Sequence, residues 1–494
     1  MRYWITFILC LLPFYVTAQR ESRLEQYVET LKKDVRLKHT AWSVLIREVN
    51  AGKTLVSYNT EAALMPASTM KLLTTGAGLL LLGGDYRYYT HLYYDGAISD
   101  STLFGNLYIV GGGDPTLGAL DFPMTPIDTT FSRWTKAIKE LGVHTILGKL
   151  MADESFFAYE IPESWSWGNM GNGYGTSPGG LMFCENMYHV TLSSGSRIGT
   201  AAKVENIYPH IPGAVIDNRI TTGAVNSGDN TIIYNAPFSE RHVMTGTIPA
   251  LQDSFVVKGA NREAPLTCAW YFNQYLNAHN IRTSGNLDIV AANTIEQERW
   301  KYITSTASEV TLSDIVAVTN KRSHNLYAET ILKTIGVERM NKSDYESSIA
   351  AVMQMFDSLK IYRNAIMLAD GSGLSRKNLI TAKFMCDFLD KMYLSPVFDI
   401  FYQSLAVPGE EGTMRNMMKG ISNASRIHAK TGSIDGVRAY AGYVENNGRK
   451  YCFSISFNNF NYRGALLVPY VERLRQLKLL KEIEKQYFRP LFST

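Results

Sequence analysis

Met65-Pro66-Ala67-Ser68-Thr69-Met70-Lys71, running on into the apolar stretch Leu72 to Leu82, is the segment from which the rest of the chain is best read. A proline just ahead of a long apolar run marks the first turn of a buried helix. Ser68 and Lys71 are three apart, which on a helix sets their Cβ atoms about 5–6 Å from each other. The Ser68 hydroxyl then sits at the positive end of the helix dipole, with an amine one turn away to take its proton. Two further motifs follow in order, Ser323-His324-Asn325 and Lys430-Thr431-Gly432. Each of the three arises often by chance. Together they supply a nucleophile, a proton relay and a cation for a carboxylate. The last precedes an alternating segment, Val437 to Val444, that reads as a strand, and a strand edge can take an extended peptide.

Around these motifs both ends of the chain read as one layered core. Arg20 to Arg36 has helical apolar spacing at Leu24, Tyr27, Val28, Leu31 and Val35. Ala41 to Val49 and Lys53 to Tyr58, joined by Asn50-Ala51-Gly52, form a predicted hairpin, and Gly436 to Val444 with Lys450 to Phe457 form a second. A predicted helix at Tyr470 to Tyr487 closes the chain, with Leu474, Leu477, Leu480 and Ile483 placed to cover the sheet. The expected fold class is α+β, an antiparallel sheet covered by helices. From Tyr89 to Glu298 short alternating segments and Gly/Asn/Asp/Ser punctuation predict a β-rich insertion. The helical core resumes near Leu312, with one helix expected from Leu312 to Gly336 across Ser323. The expected division is therefore 1–18, 19–88, 89–298 and 299–494.

The 494 residues are enough for two or more cores. Lys and Arg number 49 against 45 Asp and Glu, a formal charge of +4, which gives no reason to expect a nucleic-acid partner. Met1 to Ala18 joins Arg2, an apolar stretch and a Val16-Thr17-Ala18 ending, the pattern of a cleaved export signal, and no later run reaches the length of a membrane span. Cys10 follows Leu9 rather than a small residue, which argues against a lipid anchor. Cys184, Cys268, Cys386 and Cys452 have neither metal-ligand nor Cys-x-x-Cys spacing and read as buried small hydrophobes. No metal or cofactor is expected. The cluster Gly111-Gly112-Gly113-Asp114-Pro115 lacks both dinucleotide and phosphate-loop spacing and reads as a tight turn.

With its motifs placed, the chain resembles the class C penicillin-binding proteins of D-alanyl-D-alanine carboxypeptidase/endopeptidase type, peptidase family S13, from about Leu24 to Phe460. Asn325 to Glu329, Asp370 to Arg376, Gly412 to Arg415 and Gly112 to Leu117 look like that group's local signatures, as does the long insertion between the first two motifs. The resemblance implies a penicillin-binding-protein/β-lactamase-like core with an insertion of two domains. It implies a periplasmic or wall-side serine peptidase that acts on peptidoglycan stem peptides and is acylated by β-lactams. His324 departs from the group's usual Asp or Asn, and Asp435 stands where relatives carry a neutral amide.

The chemistry expected on that basis is acyl transfer. Ser68 is the nucleophile, and Lys71 is its base if burial and a neighbouring cation, Lys430, keep it neutral. Ser323 passes the proton to the leaving amine, and Asn325 holds Lys71 and the substrate amide. Lys430 and Thr431 bind the substrate carboxylate, Gly432 permits close approach, and the amides of Ser68 and Ser433 form the oxyanion hole. The resemblance points to Asp153 and Arg376 as contacts for the stem-peptide diamino acid, with Asp435 affecting its choice. Trp165, Trp167 and Tyr174 read as core packing before sugar stacking. His324 and His428 read as structural, with no acidic partner visible in the sequence. The alternatives are a β-lactamase or esterase on the same core, which needs a water-activating base, and a penicillin-binding sensor without peptidase activity.

Overall fold

The computed structural model describes residues 23–122, 126–237, 239–290, 299–363, 366–418, 424–446 and 448–460. The expected export signal and the expected helix at Tyr470 to Tyr487 lie outside these.

Both predicted hairpins form and join into one antiparallel sheet of five strands. Its order is Thr54–Tyr58, Ala41–Glu48, Arg449–Asn458, Val437–Asn446 and Ile427–Ile434. Ala41 faces Asn458 and Lys430 faces Ala441, so strands from the two ends of the chain lie side by side. Alternation sorts the side chains. Trp42, Val44, Ile46, Phe453, Ile455 and Phe457 pack with Val28 and Leu31 of the helix Arg23–Lys33. Leu45, Tyr443 and Cys452 face the larger helical layer, among Leu72, Leu73, Ile331, Phe388 and Leu389. The helix Met70–Leu81 runs through that layer, with Leu72 and Leu73 fully buried.

The insertion has apolar cores of its own. Strands Leu287–Ile289, Leu150–Asp153, Leu107–Gly111, Tyr89–Tyr94 and Lys301–Ala307 make a mixed five-stranded sheet. Its core contains Phe131, Trp134 and Phe272. Residues Met187 to Ala260 carry a separate apolar cluster around Tyr188, Val190, Leu192, Ile233 and Met244. Three features depart from the sequence reading. Lys301–Ala307 pairs with Tyr89–Tyr94, so the insertion's sheet runs past residue 298. The region also carries two long helices, Ile127–Glu140 and Ala264–Ala278. The helix expected from Leu312 to Gly336 is broken into Leu312–Arg322 and Asn325–Met340. The physical reason for the break is local: Ser323 takes left-handed torsions (φ 64, ψ 40), and His324 Nδ1 accepts the Tyr327 N–H to cap the second helix.

The four described cysteines, Cys184, Cys268, Cys386 and Cys452, are buried and free. Asp114 Oδ1 accepts the main-chain and side-chain donors of Thr116, the bonding of a tight turn.

Candidate active site

Ser68 lies in a short 3-10 turn, Ala67–Thr69, that leads directly into the helix carrying Lys71. Ala67 itself has φ 46, a left-handed torsion. The edge strand Ile427–Ile434 runs against this turn. A Cβ on Gly432 would lie 2.6 Å from the Pro66 carbonyl oxygen and 3.1 Å from the Ser68 amide nitrogen. Glycine is therefore what lets the strand approach the serine. Ala406 bridges the outer edge of that strand at Ala429, short of Lys430.

Lys71 is completely buried, and its Nζ lies 3.0 Å from Ser68 Oγ, 2.6 Å from Asn325 Oδ1 and 2.7 Å from the Ser372 carbonyl. Burial pulls the Lys71 ammonium down to about 7, against the opposing pull of the Glu329 and Asp370 carboxylates. The expectation that Lys430 would depress Lys71 is replaced by this balance. The pressure between the two lysines falls on Lys430, which burial and then Lys71 hold well below the ordinary lysine value. Lys430 Nζ donates to Ser323 Oγ at 2.9 Å and to its neighbour's carbonyl, Thr431 O, at 2.8 Å.

The Asp370 to Arg376 segment is a bonded scaffold for that carbonyl acceptor of Lys71. Glu329 accepts the amides of Gly371 (2.9 Å) and Ser372 (2.8 Å). Asp370 accepts the amides of Gly373 and Ser375, the Asn378 side chain and the Trp165 indole. Gly373 has φ 83, and a Cβ there would sit 1.9 Å from the Ala67 carbonyl oxygen. The segment thus presses on the backbone next to the serine while its carbonyl faces the lysine.

The site opens into a cleft of ≈ 1160 Å³ between core and insertion, lined among others by Ser68, Ser323, Asn325, Arg376, Ser433 and Asp435. Arg376 donates to the main-chain carbonyl of Asp435 at 3.1 Å. Asp153 is not among the lining residues. It is 1% exposed at the end of the strand Leu150–Asp153, with Oδ1 accepting the Ser155 amide. Asn325 Nδ2, expected to face substrate, donates instead to the Tyr174 carbonyl at 2.7 Å. Trp165 is buried, as packing predicts, whereas Trp167 and Tyr174 are about half exposed and Tyr174 lines the cleft.

Sequence reasoning missed Glu185. Its carboxylate lies 3.5 Å from His324 Nε2, so His324 does have an acidic partner, 139 residues away. The ring faces neither serine, because its nitrogens are engaged by Glu185 and the Tyr327 amide. His428 stacks on Tyr402, with Nδ1 3.3 Å from the Tyr402 carbonyl oxygen. Asp121, Glu185 and His324 bring three possible metal-ligand atoms within 4.8 Å of one another.

Residues 24–466 match the profile of the D-Ala-D-Ala carboxypeptidase 3 (S13) family. The chain is 28% identical over 469 residues to a D-alanyl-D-alanine carboxypeptidase of Actinomadura sp. (strain R39), covering 91% of this chain and 83% of that one. Its fold is similar to penicillin binding protein 4 from Haemophilus influenzae, with a TM-score of 0.77 at 22% identity, covering 96% and 100% of the two chains. The same Haemophilus protein complexed with a novel β-lactam gives a TM-score of 0.70 at 21% identity, covering 92% and 97%.

Proposed function

The chain belongs to the D-Ala-D-Ala carboxypeptidase 3 (S13) family, and from that premise we propose how its residues remove the terminal D-alanine from a peptidoglycan stem peptide. It is a serine-type D-Ala-D-Ala carboxypeptidase with a penicillin-binding-protein-like α+β core. Ser68 Oγ attacks the carbonyl carbon of the penultimate D-alanine, and Lys71 takes the hydroxyl proton. The geometry suits a neutral amine. Its two hydrogens go to Asn325 Oδ1 and the Ser372 carbonyl, which leaves the lone pair for the Ser68 hydroxyl 3.0 Å away.

The amides of Ser68 and Ser433 receive the developing oxyanion, each such donor being worth about 2.7–4 kcal/mol in comparable enzymes. Ser323, bonded to Lys430, relays to the departing amine of D-alanine the proton that Lys71 took from Ser68, so that the amide bond breaks with its nitrogen protonated and the Ser323 hydroxyl is restored. Lys430 and Thr431 hold the carboxylate of that residue. Water then breaks the Ser68 ester and regenerates the hydroxyl. A β-lactam acylates Ser68 by the same attack on its cyclic amide. Arg376 and Asp435, side by side in the cleft, are placed to read the side chain of the stem's diamino acid. Asp153, buried on its strand, is not in position for that role. The extent of the cleft supports action on branched, cross-linked stems as well. The export-signal pattern of Met1 to Ala18 supports action outside the cytoplasm, and among the described residues no helix is long and apolar enough to cross a membrane.

The contact of Lys71 Nζ with Ser68 Oγ, completed by Asn325 and Ser372, carries the proposal. It is tested by labelling the protein with fluorescent penicillin, with and without Ser68→Ala, beside an assay of D-alanine release from a pentapeptide. Stable labelling and release that both need Ser68 are expected. Rapid turnover of the drug would indicate a β-lactamase, and labelling without release a sensor.

A further inference from the structure

The turn between the helices Leu312–Arg322 and Asn325–Met340 is tied to the insertion at successive points. Arg322 donates to Asp121 at 2.6 Å, His324 Nε2 lies 3.5 Å from Glu185 Oε1, and Asn325 Nδ2 donates to the Tyr174 carbonyl at 2.7 Å. Ser323 points the other way, to Lys430, and the Asn325 amide bridges the two sides, its Oδ1 accepting from Lys71. His324 therefore sits between the two groups that touch the lysines, and its own side chain is held by a residue of the insertion.

That anchor is closely built. Glu185 is 2% exposed and accepts the Tyr327 hydroxyl at 2.7 Å through the same oxygen that faces His324. The His324 ring stacks on Tyr327 with centroids 3.9 Å apart, and Nδ1 accepts the Tyr327 amide. Cys184, Glu185 and Asn186 have φ of 48, 59 and 51, three successive left-handed torsions that side chains disfavour. Burial works to raise the Glu185 carboxyl, yet the bonds from His324 and Tyr327, with Lys258 nearby, hold it below the ordinary glutamate value.

We propose that Glu185 and His324 are positioning residues through which the insertion fixes the Ser323–Asn325 turn against Lys430 and Lys71. The inference rests on the reading of Ser323 and Asn325 as the proton relay. A metal at Asp121, Glu185 and His324 is the competing use of the same atoms. It fits less well. Nδ1 accepts a main-chain N–H, so the neutral ring carries its proton on Nε2, the atom a metal would need, and Asp121 is already paired with Arg322.

The test measures the rate constant and apparent affinity of Ser68 acylation by penicillin, with thermal melting, for Glu185→Ala, His324→Ala, the double variant and Glu185→Gln. Loss of alignment predicts that each alanine variant slows acylation on the order of tenfold with affinity changed less than about twofold. The double variant should be no slower than the worse single. Glu185→Gln keeps an oxygen for both Tyr327 and Nε2–H, so it should recover most of the rate. Wild-type rates in folded alanine variants would overturn the proposal, as would additive losses in the double variant. Loss of wild-type acylation on chelator treatment, restored by a divalent metal, would replace the clamp with a metal site. Failure of the underlying reading would appear separately, as wild-type acylation rates in Ser323→Ala and Asn325→Ala.

Discussion

A lysine accepts a proton only when its lone pair is free, and burial brings Lys71 to that condition near neutrality. Because the neutral form grows as pH rises through its pKa, acylation of Ser68 should increase with pH with a midpoint near 7 and level off above it. Stopped-flow acylation across pH checks this, and a rate independent of pH between 5.5 and 8.5, roughly that window, would contradict it. Glu329, whose own carboxyl burial and the nearby Asp370 push up to about 7, favours the protonated lysine when it is ionised. Glu329→Gln should therefore move the midpoint to lower pH. The same change leaves one of two buried amides, Gly371 or Ser372, without its acceptor, so it should also destabilise the fold by about 1–3 kcal/mol, read by chemical denaturation.

At the scale of elements, the site depends on close contact between a strand and the turn before a helix. Gly432→Ala places a methyl 2.6 Å from the Pro66 carbonyl oxygen, which must push the strand and the Ser433 amide away from Ser68. Acylation should fall by ~10–100-fold with little change in melting temperature, since misplacement rather than unfolding is the cause. Helices and hairpins with a regular apolar period were legible: Leu72 to Leu82 and both terminal hairpins stand where the spacing places them. The break at Ser323 was hidden because Val316, Leu326 and Ile331 continue an apolar pattern on both sides of it. Ile127, Phe131, Trp134 and Ile138 do carry a helical stripe, at i, i+4, i+7 and i+11, but it is embedded in turn-rich sequence. Glu185 had no readable signal. Its meeting with His324 depends on three left-handed residues and on how the insertion folds back, neither of which has a period.

At the scale of the whole molecule, the insertion is a wall of the cleft and a support for the core. Trp134 is fully buried in it, edge-on to Phe272 and bonded through its indole to Thr306. Trp134→Ala should cost about 3–5 kcal/mol, measured by denaturant unfolding. Penicillin labelling should disappear together with that unfolding, because Asp121, Tyr174 and Glu185 of the insertion hold the turn that bears Ser323. The resemblance that organises the chain was carried by short motifs, while the cleft joining them came from long-range contacts. Ser68, activated by Lys71, should carry the acyl group, and mass spectrometry of penicillin-treated protein, followed by peptide mapping, checks this. One adduct on the peptide containing Ser68, absent from Ser68→Ala, is the predicted result; an adduct on any other residue, or one that survives Ser68→Ala, would contradict it.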